Sequence, residues 1–209
     1  MVNCVSRPLL MINPPQSVMN IKRLFFLCTF FLAFILRSNS QSLPDSMRLR
    51  ILLIRHGEKP DTGLNLDCKG WNRALALPAA IISQFGVPRM IYVPEMKSGK
   101  KTKSVRMYQT VIPFAIKYSL PVNSKYDETD STLITDDLKH QKGLVMVVWD
   151  KKNIPGLVRN LGVTDSNLDW NDKDFDSIWI IEFFRNPIGV MIPRLRKGRE
   201  GIDPSEVCN

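Results

Sequence analysis

The order of apolar runs and amphipathic segments predicts an α/β protein: a three-layer α/β/α sandwich whose sheet is mostly parallel, with an antiparallel hairpin at one edge. Three observations carry this. The run Ile51-Leu52-Leu53-Ile54 is apolar on both faces, as in a strand covered by helices above and below. A strand-loop-helix order occurs twice in succession, which favours parallel pairing through crossover helices. Near the end of the chain, Asn186-Pro187-Ile188-Gly189 separates two apolar runs and reads as a hairpin turn.

Residues 48–54 form the first expected strand. After a loop over 60–65, Asp67 is placed to cap a helix over 68–85, with Trp71, Ala74, Leu75, Ala79 and Ile82 on its core face and Gly86 ending it. Pro78 removes one backbone bond inside that helix and predicts a bend. Residues 89–93 make a second strand, and the loop that follows carries Lys97, Lys100, Lys101 and Lys103. Ser104 stands at the N-cap of a second helix bearing Arg106, Tyr108, Val111, Ile112 and Ile116. A polar helical segment lies within 126–142, a strand at 144–149, and a short helix at 153–161 with Pro155 in its first turn. Strands at 177–184 and 190–192 form the hairpin; residues 197–209 have no periodicity and read as a tail. Trp170, Asp174 and Asp176 are expected to cap and pack the strand at 177.

The N-terminus has a different character. Lys22-Arg23, the apolar run over 24–36 and small polar residues through Ser38-Asn39-Ser40 follow the pattern of a secretory signal, with Met19 as the expected start and cleavage near Ser40. As an uncleaved anchor the run would fall short of the ~20 residues needed to span a bilayer. Residues 1–40 are thus expected to be a leader, and 41–209 a single exported domain, periplasmic or extracellular and free of the membrane after cleavage. The full chain has a net charge of +9; the leader holds Arg7, Lys22, Arg23 and Arg37 and no acid, which leaves the mature domain at +5. That excess is too mild to indicate nucleic acid without a groove-reading motif, and it suits an anionic substrate. Of four cysteines, Cys68 and Cys208 remain after cleavage, and either a bridge between them or two free thiols fits the sequence. With only His56 and His140 in the chain and no Cys-x-x-Cys spacing, neither metal nor cofactor is expected.

The chemistry concentrates at Arg55-His56-Gly57-Glu58-Lys59, which the first strand delivers to the carboxyl edge of the sheet, where α/β proteins bind ligands. A neutral imidazole attacks phosphorus without prior activation. The transferred phosphoryl group then needs its oxygens held by cations in a dry site. Arg55 adjoins the histidine, and Arg106 sits in the first turn of a helix whose positive end adds to the field.

Three stretches, Leu52-Leu53-Ile54-Arg55-His56-Gly57-Glu58-Lys59-Pro60, Leu66-Asp67-Cys68-Lys69-Gly70-Trp71-Asn72-Arg73-Ala74 and Ser104-Val105-Arg106-Met107-Tyr108-Gln109-Thr110, make residues 49–184 resemble the histidine phosphatase superfamily, or phosphoglycerate mutase-like family. The resemblance implies that His56 becomes a phosphohistidine, that Arg55 and Arg106 clamp the phosphate, and that Lys59 is a candidate contact. Its substrate would be a phosphorylated small molecule or a phosphoprotein. A leaving-group acid is expected among Asp127, Glu128 and Asp130, with Asp150 as another neighbour. One departure stands out. The family's second histidine belongs just after the strand at 144–149, where this chain has Trp149-Asp150-Lys151-Lys152, so Lys151 takes its place as a phosphate-binding cation. Lys151 lacks the histidine's neutral form and geometry. The sequence thus supports an exported phosphomonoesterase of reduced activity, or a phosphate-binding pseudophosphatase without catalysis. A sugar-phosphate mutase is disfavoured by export and by the absence of insertions to hold a sugar. Glu58 could equally belong to a solvated turn, and His140, before the strand, reads as an ordinary exposed residue.

Overall fold

A computed structural model describes residues 47–97 and 104–208. The leader reading, and Lys100, Lys101 and Lys103 of the lysine loop, lie outside the described residues. The chain runs β1 (Met47–Arg55), α1 (Cys68–Phe85), β2 (Met90–Tyr92), α2 (Val105–Tyr118), β3 (Val122–Asn123), α3 (Ser131–His140), β4 (Gly143–Trp149), α4 (Ile154–Asn160), β5 (Ser177–Arg185) and β6 (Met191–Arg199). One six-stranded sheet has the order β3-β2-β4-β1-β5-β6. β3, β2, β4 and β1 pair in parallel, whereas β5 is antiparallel to both β1 and β6. This is the predicted α/β architecture, with the hairpin at one edge.

The period-two alternation of the central strands divides the core into two layers. Ile51 and Leu53 of β1, Val145, Val147 and Trp149 of β4, and Trp179 and Ile181 of β5 pack on α3 and α4 through Ile134, Leu138, Ile154 and Leu157. Leu52, Ile54, Met146, Val148 and Ile180 face the other way, onto Leu77, Ile81, Met107, Val111 and Phe114 of α1 and α2. Both faces of β1 are therefore dry, which is why its sequence is apolar throughout instead of alternating.

Helix α1 has the predicted bounds: Asp67 Oδ1 accepts the Gly70 N–H at 2.8 Å, and Gly86, at φ 88°, donates to the Ile82 carbonyl. Pro78 lies inside one unbroken helix. The core face is rotated from expectation, however. Trp71, Leu75 and Ala79 are exposed, while Asn72, Arg73, Ala74, Leu77, Pro78 and Ile81 are buried. Two polar side chains can enter that face because each finds partners there: Arg73 meets Glu58 and Glu200, and Asn72 meets the carbonyls of Ser205 and Val207.

Two other expectations are corrected. Ser104 precedes α2 but, at φ 58°, makes no capping bond, and its hydroxyl instead donates to Glu128 Oε2 at 2.9 Å. Residues 197–208 are no loose tail: Lys197–Arg199 complete β6, Glu200 is buried, and Cys68 and Cys208 form a disulfide with Cα atoms 4.6 Å apart. Periodicity could not show this, since β6 is an edge strand with one face in solvent and charged residues along it. Among the described residues, no helix is long and apolar enough to cross a membrane.

Candidate active site

The register Arg55↔Trp149 brings the carboxyl ends of β1 and β4 side by side. His56 therefore leaves the sheet next to Asp150 and Lys151. On the other side, the Gly57 N–H donates to Thr110 Oγ1 at 2.9 Å, and that hydroxyl donates to the Arg106 carbonyl at 2.8 Å. Thr110 is fully buried, so one side chain ties the histidine loop to the turn of α2 that carries Arg106. The structure thus gathers Arg55, His56, Arg106 and Lys151 at one sheet edge.

His56 is 2 % exposed. Its Nδ1 lies 2.7 Å from the Gly57 carbonyl, which can only accept, so Nδ1 carries the proton and Nε2 keeps its lone pair. Burial, helped by the charges of Arg55 and Arg106 and opposed by the Gly57 hydrogen bond and Asp150, lowers its pKa to about 4. The ring is neutral at physiological pH. A stability consequence follows with a definite sign: as pH falls from 6.5 towards 4, the unfolded chain takes up a proton that the folded ring refuses, so stability is lost in that window. The loss should reach about 2–3 kcal/mol by pH 4.5. Urea unfolding at pH 7 and pH 4.5 should show this excess in the wild type relative to His56→Gln; equal losses would mean an ordinary, solvated histidine.

Arg55 is also buried. Its Nη1 donates to the carbonyls of Asp172 (2.8 Å) and Asp174 (3.1 Å), and its guanidinium lies 3.7 Å from the Phe175 ring centroid. Burial lowers its pKa to about 10, against the pull of Asp150 and Asp174, so it stays charged. Its Nε has no hydrogen-bond partner, and the Arg106 side chain finds none among the described residues. Buried donors rarely remain unpaired. Two guanidinium groups with vacant N–H bonds beside one imidazole lone pair make a place for a tetrahedral oxyanion.

Lys151 pairs with the Asp172 carboxylate, whose own backbone carbonyl accepts from Arg55. Desolvation and then the charge of Arg55 lower the Lys151 pKa. Lys59 is exposed, with Nζ 3.4 Å from the Pro60 carbonyl of its own loop. Glu58 is no solvated turn residue: it is buried and holds Arg73 by two bonds of 2.9 and 2.7 Å. His140 is exposed in the last turn of α3, at the opposite end of β4 from Asp150.

Among the candidate acids, Asp127 pairs with Lys97 and Asp130 caps α3 through the Leu133 N–H. Glu128 is held between the end of β4, where Trp149 Nε1 donates to its carbonyl, and the start of α2, where Ser104 meets its carboxylate. Sequence reasoning missed Phe175, Asp172 and the holding role of Thr110. The loop over 171–176 is polar and aperiodic, and nothing local marks its contact with Arg55, 117 positions away. Among the described residues, no cluster of histidine, cysteine or carboxylate side chains could hold a metal ion.

The fold is the α/β sandwich shared by histidine phosphatases. The protein histidine phosphatase SixA, solved with tungstate, superimposes with a TM-score of 0.50 at 14% identity, covering 73% of this chain and 97% of that one. A candidate SixA phosphohistidine phosphatase from Agrobacterium tumefaciens superimposes equally well, with a TM-score of 0.50 at 15% identity over 71% of this chain and 95% of that one. No family model matches the sequence, and no curated protein matches it.

Proposed function

We propose that this chain is an exported histidine phosphatase, a metal-independent phosphomonoesterase that works through a phosphohistidine on His56. The observation that carries the reading is the buried, neutral His56, whose proton sits on Nδ1, close to Arg55, whose Nε has no hydrogen-bond partner, and to Arg106, whose side chain has none among the described residues. In the first step Nε2 attacks phosphorus, the ester P–O bond breaks, and the leaving oxygen takes a proton from an acid at the mouth. Glu128 and Asp150 are the acids available there. Water then attacks the phosphohistidine, releasing phosphate and restoring the ring. Arg55 and Arg106 hold the equatorial oxygens in both steps, with Lys151 as a third cation. That the histidine phosphatase SixA, a protein of the same fold, was solved in complex with tungstate supports an oxyanion as the ligand class. A phosphorylated small molecule or a phosphoprotein is the substrate class, and cleavage of the leader near Ser40 exports the domain.

Lysine at position 151 favours a second reading, a pseudophosphatase that binds phosphate without turning it over. Turnover of an aryl phosphate, measured beside calorimetric titration with vanadate, separates the two: release of phosphate supports the enzyme, and binding without release supports the module. If Lys151 is a crippling replacement, Lys151→His should raise turnover roughly tenfold, about 1.4 kcal/mol of transition-state stabilisation. An unchanged or lower rate would show that the ammonium has a role of its own.

A further inference from the structure

We propose that Glu200, acting through Arg73 and Glu58, is a positioning residue that fixes the loop carrying His56. The loop is held at three points: the Gly57 N–H on Thr110, the Glu58 carbonyl accepting the Asp67 N–H at 3.1 Å, and the Glu58 carboxylate on the Arg73 fork. The third point is only as rigid as Arg73. On its far side Arg73 Nη1 donates to Glu200 Oε2 at 2.8 Å and reaches Asp176 Oδ1 at 3.5 Å. Glu200 therefore backs the guanidinium against Glu58, and the two carboxylates fix its plane between them.

Glu200 is itself anchored. Its N–H donates to the Asp176 carbonyl at 2.6 Å, and the segment beyond it lies along α1, held by Asn72 on the Ser205 and Val207 carbonyls and by the Cys68–Cys208 disulfide. The groups facing Glu200 are Arg73, Asp176 and Glu58, with Arg199 on Asp176 at 2.8 Å. Burial raises its pKa against the pull of Arg73, whose guanidinium keeps it paired, and its Oε1 has no hydrogen-bond partner among the described residues. A carboxyl group kept in so costly a place, with one oxygen spent wholly on Arg73, suits a part whose task is to hold that side chain.

The proposal rests on the phosphatase reading only for what His56 does, and its test needs no substrate. The chain has two histidines, so ring resonances of histidine-labelled protein report His56 and, as an internal control, His140. In Glu200→Ala the His56 midpoint should climb from about 4 towards the ordinary 6.5 by roughly one unit or more as the loop loosens and water enters, with His140 unmoved. Glu200→Gln, which keeps an oxygen for Arg73, should stay near the wild type. On an aryl phosphate, kcat should fall about tenfold in Glu200→Ala with KM within about twofold. If Glu200→Ala does not fold, Arg73→Lys, which keeps the cation and loses the fork, is read for the same shift. An unmoved His56 midpoint in the variant that folds, or an equal shift of both histidines, overturns the proposal. Failure of the wild type to hydrolyse phosphate or bind vanadate counts against the phosphatase reading alone, because the titration still decides the role of Glu200.

Discussion

Replacing His56 with alanine is expected to reduce phosphate release from an aryl phosphate by at least ~10³-fold, a loss of about 4 kcal/mol from transition-state stabilisation. The alanine removes the imidazole proposed as the nucleophile, and no described side chain can take its place. His140 lies at the other end of β4, and Lys151 is engaged by Asp172. Vanadate affinity should fall far less, because Arg55 and Arg106 remain to bind the anion. The two readouts together separate loss of the nucleophile from loss of the pocket. In the wild type, the acid limb of kcat/KM should lie near pH 4, where the buried ring finally protonates, and not near the 6.5 of a solvated histidine. Identical background rates in wild type and variant would end the phosphohistidine proposal.

How far the sequence revealed this site depends on how local each signal was. Ile51–Ile54 followed by Arg55-His56-Gly57 could be read because burial and chain reversal are properties of adjacent residues. The bounds of α1 were legible for the same reason, with Asp67 and Gly86 marking its ends. Its buried face was not. Trp71 and Leu75 are apolar and look like core, yet Asn72 and Arg73 go inside, because their partners come from residues 58 and 200–207. The same holds for the chain's end. Lys197–Arg199 carry no apolar alternation, and their strand exists because β5 offers a free edge to pair with. The two-residue β3 is too short to leave a periodic trace, and it forms because Ile91 and Tyr92 present theirs. At the site, the residue types that bear charge were legible, whereas those that aim them were not. Thr110 is an ordinary helix residue until its hydroxyl is seen between the Gly57 N–H and the Arg106 carbonyl.

Gly70→Ala is expected to destabilise the fold by about 2 kcal/mol and to displace the histidine loop, although alanine is the better helix former. Position 70 lies in the first turn of α1, where exchanging glycine for alanine would by itself stabilise the helix by roughly 0.5–1 kcal/mol. Packing reverses the sign. A Cβ at residue 70 would stand 2.2 Å from the Glu58 carbonyl oxygen and 2.8 Å from its nitrogen, and a Cβ on Gly57 would stand 3.0 Å from the Gly70 Cα. These neighbours are backbone, so no side chain can rotate away, and the overpacking costs about 1–3 kcal/mol before any loss of hydrogen bonds. The displaced atoms are those that hold the site: the Glu58 carbonyl accepts the Asp67 N–H, and the Glu58 carboxylate grips Arg73. Thermal unfolding should show Tm lower by roughly 4–8 °C for a domain of this size, with turnover falling further than the loss of folded protein explains. A variant as stable and as active as the wild type would mean that the loop at His56 and the start of α1 do not approach so closely.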